Sequence, residues 1–306
     1  MSFRPVTKTV TAQPTLEGAG VHLHRGFGFG QTTETDPFLL FDDFRNDDPE
    51  RYAAGFPWHP HRGIETITYV LAGEVEHADS LGNKGLLGPG SVQWMTAGSG
   101  IMHQEMPRGD AAGRMHGFQL WANLPSSLKM TAPRYQDIEG QDIPEIIDDD
   151  GTVVRVVIGS FWGKKGPVDG IAADPLYLDV SLPPNTRKVL PVDTYAHAFA
   201  YVFAGSGKFR DASNPLGVKV EKEFAGQELT LRDLTGDRTI VHFGTGDEVE
   251  VQSGPEGMRF LLVSGQPLGE PVAWHGPIVM NTQAELMEAM RDLQTGNFIR
   301  EQARTS

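Results

Sequence analysis

The chain alternates short runs of apolar and β-branched residues with turns rich in glycine. Residues 66–71 (Thr-Ile-Thr-Tyr-Val-Leu) form a β-branched and aromatic run of the kind found in strands, and residues 73–75 continue it beyond a glycine bend. Residues 80–85 have the composition of a turn, and residues 86–92 form a second turn that enters another strand. Short strands separated by turns predict an antiparallel β-structure.

One segment near the end of the chain has helical periodicity instead. Residues 282–285 (Thr-Gln-Ala-Glu) form a capping box, which is a signature of a helix N-terminus. Leu286, Met290 and Leu293 then mark one apolar face, and Gly296 is a suitable stop. We therefore predict a short C-terminal helix whose role is packing.

Two pairs of candidate metal ligands stand beside these predicted strands. His59 and His61 are one residue apart, so an extended chain places both imidazoles on one face, and His103 and Glu105 repeat that spacing. A strand, turns and a returning strand fit between the pairs, which can therefore converge from neighbouring strands. Three imidazoles and a carboxylate suit iron, nickel, copper, manganese or zinc and leave coordination positions open. We predict one divalent transition metal inside an antiparallel barrel.

A weak internal repeat indicates a second copy of this unit. Residues 69–73 (Tyr-Val-Leu-Ala-Gly) recur as residues 201–205 (Tyr-Val-Phe-Ala-Gly). At the same offset the first ligand pair is replaced, with Pro191 in place of His59 and Asp193 in place of His61. The sequence therefore predicts two barrels with metal only in the first.

Other histidines are interpreted as core, pocket or surface residues. His197 and His242 lie in the second copy without a carboxylate at matching spacing, and their role stays open. His22 and His24 form another His-x-His, but no glutamate and no second pair follow them. We do not expect any of these four to bind the metal.

The predicted boundary between the barrels lies in an acidic, turn-rich stretch at residues 135–151. Its three consecutive aspartates, residues 148–150, lack the ligand periodicity of a calcium loop. We predict an N-terminal metal-binding domain of residues 1–140. A C-terminal domain of residues 141–306, without metal, would carry the helix.

Composition narrows the function classes. The 306 residues include 36 glycines and 21 prolines, which favour turns over long helices, and they carry a net charge of -14. This acidity disfavours direct binding to nucleic acid, and the absence of cysteine excludes disulfides and thiolate ligands. No pattern of a signal peptide or of a membrane-spanning run is visible. We therefore expect a cytoplasmic protein that does not bind membranes.

The motifs resemble those of the cupin superfamily and, within it, the pirin family. The resemblance is carried by residues 59–66 and 92–107 and extends to residues 36–40, 119–125 and 276–282. It implies an all-β bicupin, that is, two cupin-type antiparallel β-barrels, with iron as the usual metal.

The resemblance also assigns roles to the two glutamates near the histidines. It implies that Glu105, rather than Glu65, completes the metal site with His59, His61 and His103. Glu65 would then lie behind the ligands, where it could orient an imidazole or Arg62.

Several pirins are similar to quercetin 2,3-dioxygenases, which implies a flavonol and dioxygen as substrates. The flavonol would ligate the metal through its deprotonated 3-hydroxyl, with Glu105 as ligand and base, before the heterocycle opens and carbon monoxide leaves. Phe56, Trp58 and Trp94 are candidates for a flat pocket, although each would also suit the core.

A different class of function is also implied by the family. Some members resemble iron-dependent regulatory proteins, either transcriptional co-regulators or enzyme-binding partners, that act without turnover. In that case a protein partner, and not this chain, would touch nucleic acid.

Overall fold

β-Strands dominate the computed structural model of the protein, which describes residues 2–168, 172–209 and 235–300 and the backbone of residues 219–220, 223–224 and 227–228. The strands of the first half are β1 (Val6–Thr11), β2 (Gln13–Glu17), β3 (Val21–Phe27), β4 (Phe38–Asp43), β5 (Phe56–His61), β6 (Ile64–Ala72), β7 (Glu74–Asp79), β8 (Lys84–Leu87), β9 (Val92–Thr96), β10 (Ile101–Arg108), β11 (His116–Asn123) and β12 (Arg134–Ile138). The later strands are β13 (Glu145–Ile147), β14 (Val153–Ile158), β15 (Ser160–Phe161), β16 (Lys164–Lys165), β17 (Leu176–Leu182), β18 (Arg187–Pro191), β19 (His197–Phe209), β20 (Lys219–Val220), β21 (Glu223–Phe224), β22 (Gln227–Glu228), β23 (Thr239–Phe243), β24 (Glu248–Gly265), β25 (Ala273–His275) and β26 (Ile278–Met280).

Helices are short in the described part of the chain. They are α1 (Thr32–Thr35), α2 (Gln283–Thr295) and single 3-10 turns at Pro49–Arg51, Ser126–Leu128 and Gly140–Asp142. Neither α-helix among the described residues has the length and apolar composition needed to span a membrane.

The predicted C-terminal helix is confirmed in α2. The Thr282 hydroxyl accepts from the Glu285 backbone N–H at 3.2 Å, and the Glu285 carboxylate accepts from the Thr282 N–H at 2.9 Å. Gly296 ends the helix in the left-handed conformation. Leu286 packs with Phe298 and with the hairpin of β25 and β26, so the apolar face serves packing as expected.

The chain folds into two compact units. The N-terminal unit comprises Pro14–Asp142 and Leu268–Ser306, and the C-terminal unit comprises Met1–Gln13 and Ile143–Pro267. This division differs from the predicted domains of 1–140 and 141–306 at both ends of the chain. The physical reason is strand pairing, because β1 pairs antiparallel with β23, whereas α2 packs on β26 beside the N-terminal sheets.

The N-terminal unit contains two sheets. Seven strands run in the order β12-β9-β6-β11-β4-β3-β2, and four run in the order β5-β10-β7-β8. Apolar side chains from both sheets meet in one cluster, which includes Leu23, Val70, Val75 and Leu87. β10 alternates buried and partly exposed residues along its length, so one face of it points into this interior.

The C-terminal unit is built on a nine-stranded sheet in the order β13-β14-β17-β24-β19-β23-β1-β20, with β18 attached to β24. A continuous aliphatic and aromatic cluster fills its interior, with Val156, Leu178, Phe260 and Leu262 fully buried. The all-β class and the two cupin units agree with the sequence prediction. The cupin-type barrels take the form of open sheets of the jelly-roll type among the described strands.

Candidate metal centre

Two paired strands bring the predicted ligands together. β5 and β10 are antiparallel neighbours, with His59 opposite His103 and His61 opposite Ile101. The register shifts between His103 and Glu105, a bulge that re-aims the side chains beyond it. The two-residue spacing keeps His59 and His61 on one face, as the sequence predicted.

The three imidazoles converge closely. One ring nitrogen from each of His59, His61 and His103 lies within 4.8 Å of the others, and the ring centroids are 4.3–4.9 Å apart. Nε2 of His59 and Nε2 of His61 are 3.0 Å apart. Among the described residues, this is the only group of three or more histidine, cysteine or acidic side chains arranged to hold a metal ion.

Backbone carbonyls select the tautomers of two of these rings. Nδ1 of His59 lies 3.0 Å from the carbonyl oxygen of Pro57, and Nδ1 of His61 lies 3.3 Å from that of Pro277. Since a carbonyl only accepts, each Nδ1 carries the proton and donates it. Each Nε2 then presents a lone pair to the other ring, an arrangement that a shared cation stabilises.

Burial prepares the same rings for ligation. It lowers the pKa of His59, and it lowers the pKa of His61 and His103 well below the ordinary value, so neutral imidazoles prevail. Both ring nitrogens of His103 are buried without a hydrogen-bond partner among the described residues. Buried polar atoms of this kind indicate a missing ligand, so the site fits a metal ion that favours imidazole.

Glu105 lies two residues beyond His103 on β10 and is buried. The Thr68 hydroxyl donates to its carboxylate at 3.3 Å, and burial raises the pKa of Glu105 to about 7. Glu105 lines the same cavity as His59 and His61. Its carboxylate is not part of the three-histidine group whose ligand atoms lie within 4.8 Å of one another. Its role as fourth ligand therefore stays a prediction.

The two residues expected behind the ligands have different surroundings. Glu65 is buried on β6 and accepts a hydrogen bond from the Thr96 hydroxyl at 2.7 Å. Arg62 instead donates to Asp292 at 2.8 Å and to the carbonyl of Phe298 at 2.9 Å. Arg62 thus contacts the C-terminal part of the chain, and the role expected for it behind the ligands stays a prediction.

A cavity of about 530 Å³ opens beside the imidazoles. Trp121 stands edge-on to His61 with ring centroids 5.0 Å apart, and Trp274 follows at 6.2 Å from Trp121. Phe29 completes the aromatic wall in an edge contact with Trp274 at 5.5 Å. Cavities of this size and lining bind flat, largely apolar molecules.

The aromatic residues predicted for this pocket are only partly those observed. Phe56 lines the cavity, whereas Trp94 is fully buried on β9 and Trp58 is half exposed, and neither belongs to the lining. Trp121 lies on β11, in a stretch that supported the family resemblance. Trp274 comes from a hairpin late in the chain, which local sequence patterns could not assign to this site.

Charged groups occupy another part of the cavity wall. Arg25 donates two hydrogen bonds to Asp42, at 2.8 and 2.7 Å, and forms an ion pair with Glu17 at 2.8 Å. Burial nevertheless raises the pKa of Asp42 to about 6. The cluster carries two carboxylates against one guanidinium, so it favours hydroxyl donors over anions.

The remaining histidines stand apart from the metal centre. His22 and His24 lie on β3, with His22 exposed, and neither belongs to the three-histidine group. In the C-terminal unit, His197 begins β19 and His242 lies on β23. The ring centroids of His242 and Phe199 are 6.5 Å apart. Neither joins a metal-binding group among the described residues.

Comparison with known proteins identifies the family. The Pirin family model matches residues 20–122, and the model of the Pirin C-terminal cupin domain matches residues 177–299. The chain belongs to the pirin family. A pirin-like protein of Caulobacter vibrioides is 46% identical over 299 residues, which cover 97% of this chain and 100% of that protein.

Solved structures of pirin relatives share the fold. The crystal structure of quercetin 2,3-dioxygenase from Acinetobacter baumannii aligns with a TM-score of 0.83 and 32% identity, covering 97% of this chain and 99% of that one. A bacterial pirin of Escherichia coli in complex with nickel(II) aligns with a TM-score of 0.60 and 18% identity, covering 85% and 99% of the two chains. The second likeness concerns the fold alone.

Proposed function

We propose that this pirin is a metal-dependent dioxygenase that cleaves flavonols, with quercetin 2,3-dioxygenase activity. The observation that carries the proposal is the convergence of His59, His61 and His103 beside an aromatic cavity of about 530 Å³. Likeness to the quercetin 2,3-dioxygenase of Acinetobacter baumannii supports it. With Glu105, these histidines would hold one iron ion, and the same donors suit nickel, copper, manganese and zinc.

The side chains of the cavity have separate tasks in this reaction. Trp121, Trp274 and Phe29 would bind the flat ring system, and the Asp42 carboxylate would accept hydrogen bonds from hydroxyl groups at its edge. Glu105 would take the proton of the 3-hydroxyl, because its carboxylate is buried in the wall of the same cavity. When bound, the metal lowers the pKa of that hydroxyl and supplies the chemistry with dioxygen.

The decisive experiment is an aerobic assay of purified protein loaded separately with iron, nickel, copper or manganese. We expect loss of quercetin with release of carbon monoxide, without nicotinamide or flavin, and we expect chelation to abolish both. Luteolin, the matched compound that lacks only the 3-hydroxyl, is the substrate control and should persist.

Failure of every metallated form to consume flavonol would overturn the proposal. It would favour the iron-dependent regulatory protein, which binds a partner without turnover. Metal-dependent capture of one defined protein partner would then be the corresponding test.

A further inference from the structure

We infer that residues 268–300, here called the C-terminal segment, form part of the metal centre, and that Lys129 and Arg62 are positioning residues that hold this segment against His61. The inference rests on the metal of the proposed function but not on flavonol turnover. All the groups involved belong to the N-terminal unit.

The segment contacts a ligand directly through its main chain. The carbonyl oxygen of Pro277 lies 3.3 Å from Nδ1 of His61 and also accepts the backbone N–H of Arg62 at 3.4 Å. The N–H of Val279 donates in turn to the carbonyl of Arg62 at 3.0 Å. The carbonyl that selects the tautomer of His61 therefore comes from the turn before β26, whose first residue, Ile278, forms a bridge with Arg62.

Lys129 ties the same two stretches together from inside. It is 2% exposed, and its ammonium group donates to the carbonyl of Gly63 at 2.8 Å, the carbonyl of Val279 at 2.9 Å and the side-chain oxygen of Asn123 at 2.6 Å. The three N–H groups of an ammonium thus have three acceptors. One acceptor follows His61 in the chain and another belongs to the C-terminal segment.

Arg62 fixes the far end of the segment. Its guanidinium donates to Asp292 on α2 and to the carbonyl of Phe298, and it lies 4.3 Å from the centre of the Phe298 ring. The side chain that follows His61 in sequence therefore anchors the helix that follows Pro277.

The backbone of the C-terminal segment packs closely against Gly63 and Gly100. Gly63 has a φ of +78°, and a Cβ atom there would lie 1.9 Å from the carbonyl oxygen of Val279. A Cβ atom at Gly100 would likewise lie 2.6 Å from the carbonyl oxygen of Phe298. The segment is therefore closely packed at Val279, two residues from the Pro277 carbonyl that contacts His61.

Substitution of Lys129 by methionine keeps the length and apolar stem of the side chain and removes its three donors. We expect Lys129→Met to weaken metal binding roughly 10- to 100-fold, as is typical when a partner that orients a ligand is lost. The visible absorption of the Co(II) form should change as well, because it reports the orientation of the ligands. Affinity is measured by competition with a chelator.

The control is Val75→Ala, which removes apolar volume from the cluster between the two sheets of the same unit without touching the C-terminal segment. It should lower the melting temperature but leave Co(II) affinity and absorption unchanged. Should Lys129→Met fail to fold, Asp292→Asn weakens the Arg62 anchor at a partly exposed position and should shift the spectrum in the same direction.

The outcomes separate the two proposals. Wild-type affinity and absorption in both Lys129→Met and Asp292→Asn would overturn this inference alone, and so would an equal loss of affinity in Val75→Ala. Absence of Co(II) binding by the wild-type protein would overturn this inference and the proposed function together.

Discussion

Proton release on metal binding tests whether Glu105 is the fourth ligand. Burial raises the pKa of Glu105 from 4.5 to about 7, whereas His61 and His103 are held neutral by lowered pKa values. A carboxylate must ionise before it binds metal. At pH 6 about 0.9 of the Glu105 carboxyls would be protonated in the metal-free protein, and at pH 8 only about 0.1, from the titration of a group with this pKa.

The experiment compares the wild-type protein with Glu105→Gln by isothermal titration calorimetry in buffers of different ionisation enthalpy. We expect the wild-type protein to release about 0.9 proton more than the variant at pH 6, and about 0.1 more at pH 8. Subtraction of the variant removes the contribution of the histidines. Equal proton release by the two proteins at pH 6 would refute Glu105 as a ligand.

The same carboxyl makes an independent prediction for stability without metal. A raised pKa means that the folded state prefers the neutral acid, so its contribution is complete below pH 4.5 and is lost as the pH rises to about 7. The shift corresponds to about 3 kcal/mol at neutral pH. Chemical unfolding of metal-free protein should show that Glu105→Gln gains stability relative to the wild-type protein between pH 5 and pH 8, and a constant difference would contradict this.

Three further predictions concern the metal and the cavity. Elemental analysis should find one transition metal per chain, which His59→Ala combined with His61→Ala removes; two tightly held ions, or full occupancy in the double variant, would contradict the single site. Glu65→Gln should retain the metal with affinity lowered roughly 10- to 100-fold at most, and complete loss on dialysis would make Glu65 a ligand. Phe29→Ala should weaken anaerobic quercetin binding roughly 5-fold without changing metal affinity, since an aromatic contact contributes about 1 kcal/mol beyond burial. Trp58→Ala, outside the cavity, is the control, and equal effects of both variants would exclude a specific role for the Phe29 ring.

The convergence of the three histidines could be predicted because it depends on a local property of strands. Alternation places His59 and His61 on one face. His103 joins them once its strand, β10, pairs with β5. The contacts of Arg62 with Asp292 and Phe298 could not be predicted in this way, because these partners lie more than 200 positions later in the chain.

Other parts of the site depend on contacts that no local pattern contains. Pro277 and Trp274 lie beside the candidate metal centre, although their hairpin follows His61 by more than 200 residues in the chain. The stretch 276–282 contributed to the family resemblance, which was the available signal for its importance. The first strand, β1, belongs to the C-terminal unit because it pairs with β23. Composition and periodicity do not specify this pairing.

The carbonyl of Pro277 has a consequence for the order in which the proposed metal site would form. During synthesis His59, His61 and His103 leave the ribosome long before the residue that orients His61 exists. The nascent chain would therefore offer three histidines without the acceptor that selects the tautomer of His61. Under our proposal, tight metal capture would wait until Pro277 has been made and docked. Loading would then follow docking of this hairpin, and a product truncated before Pro277 would lack the acceptor that orients His61.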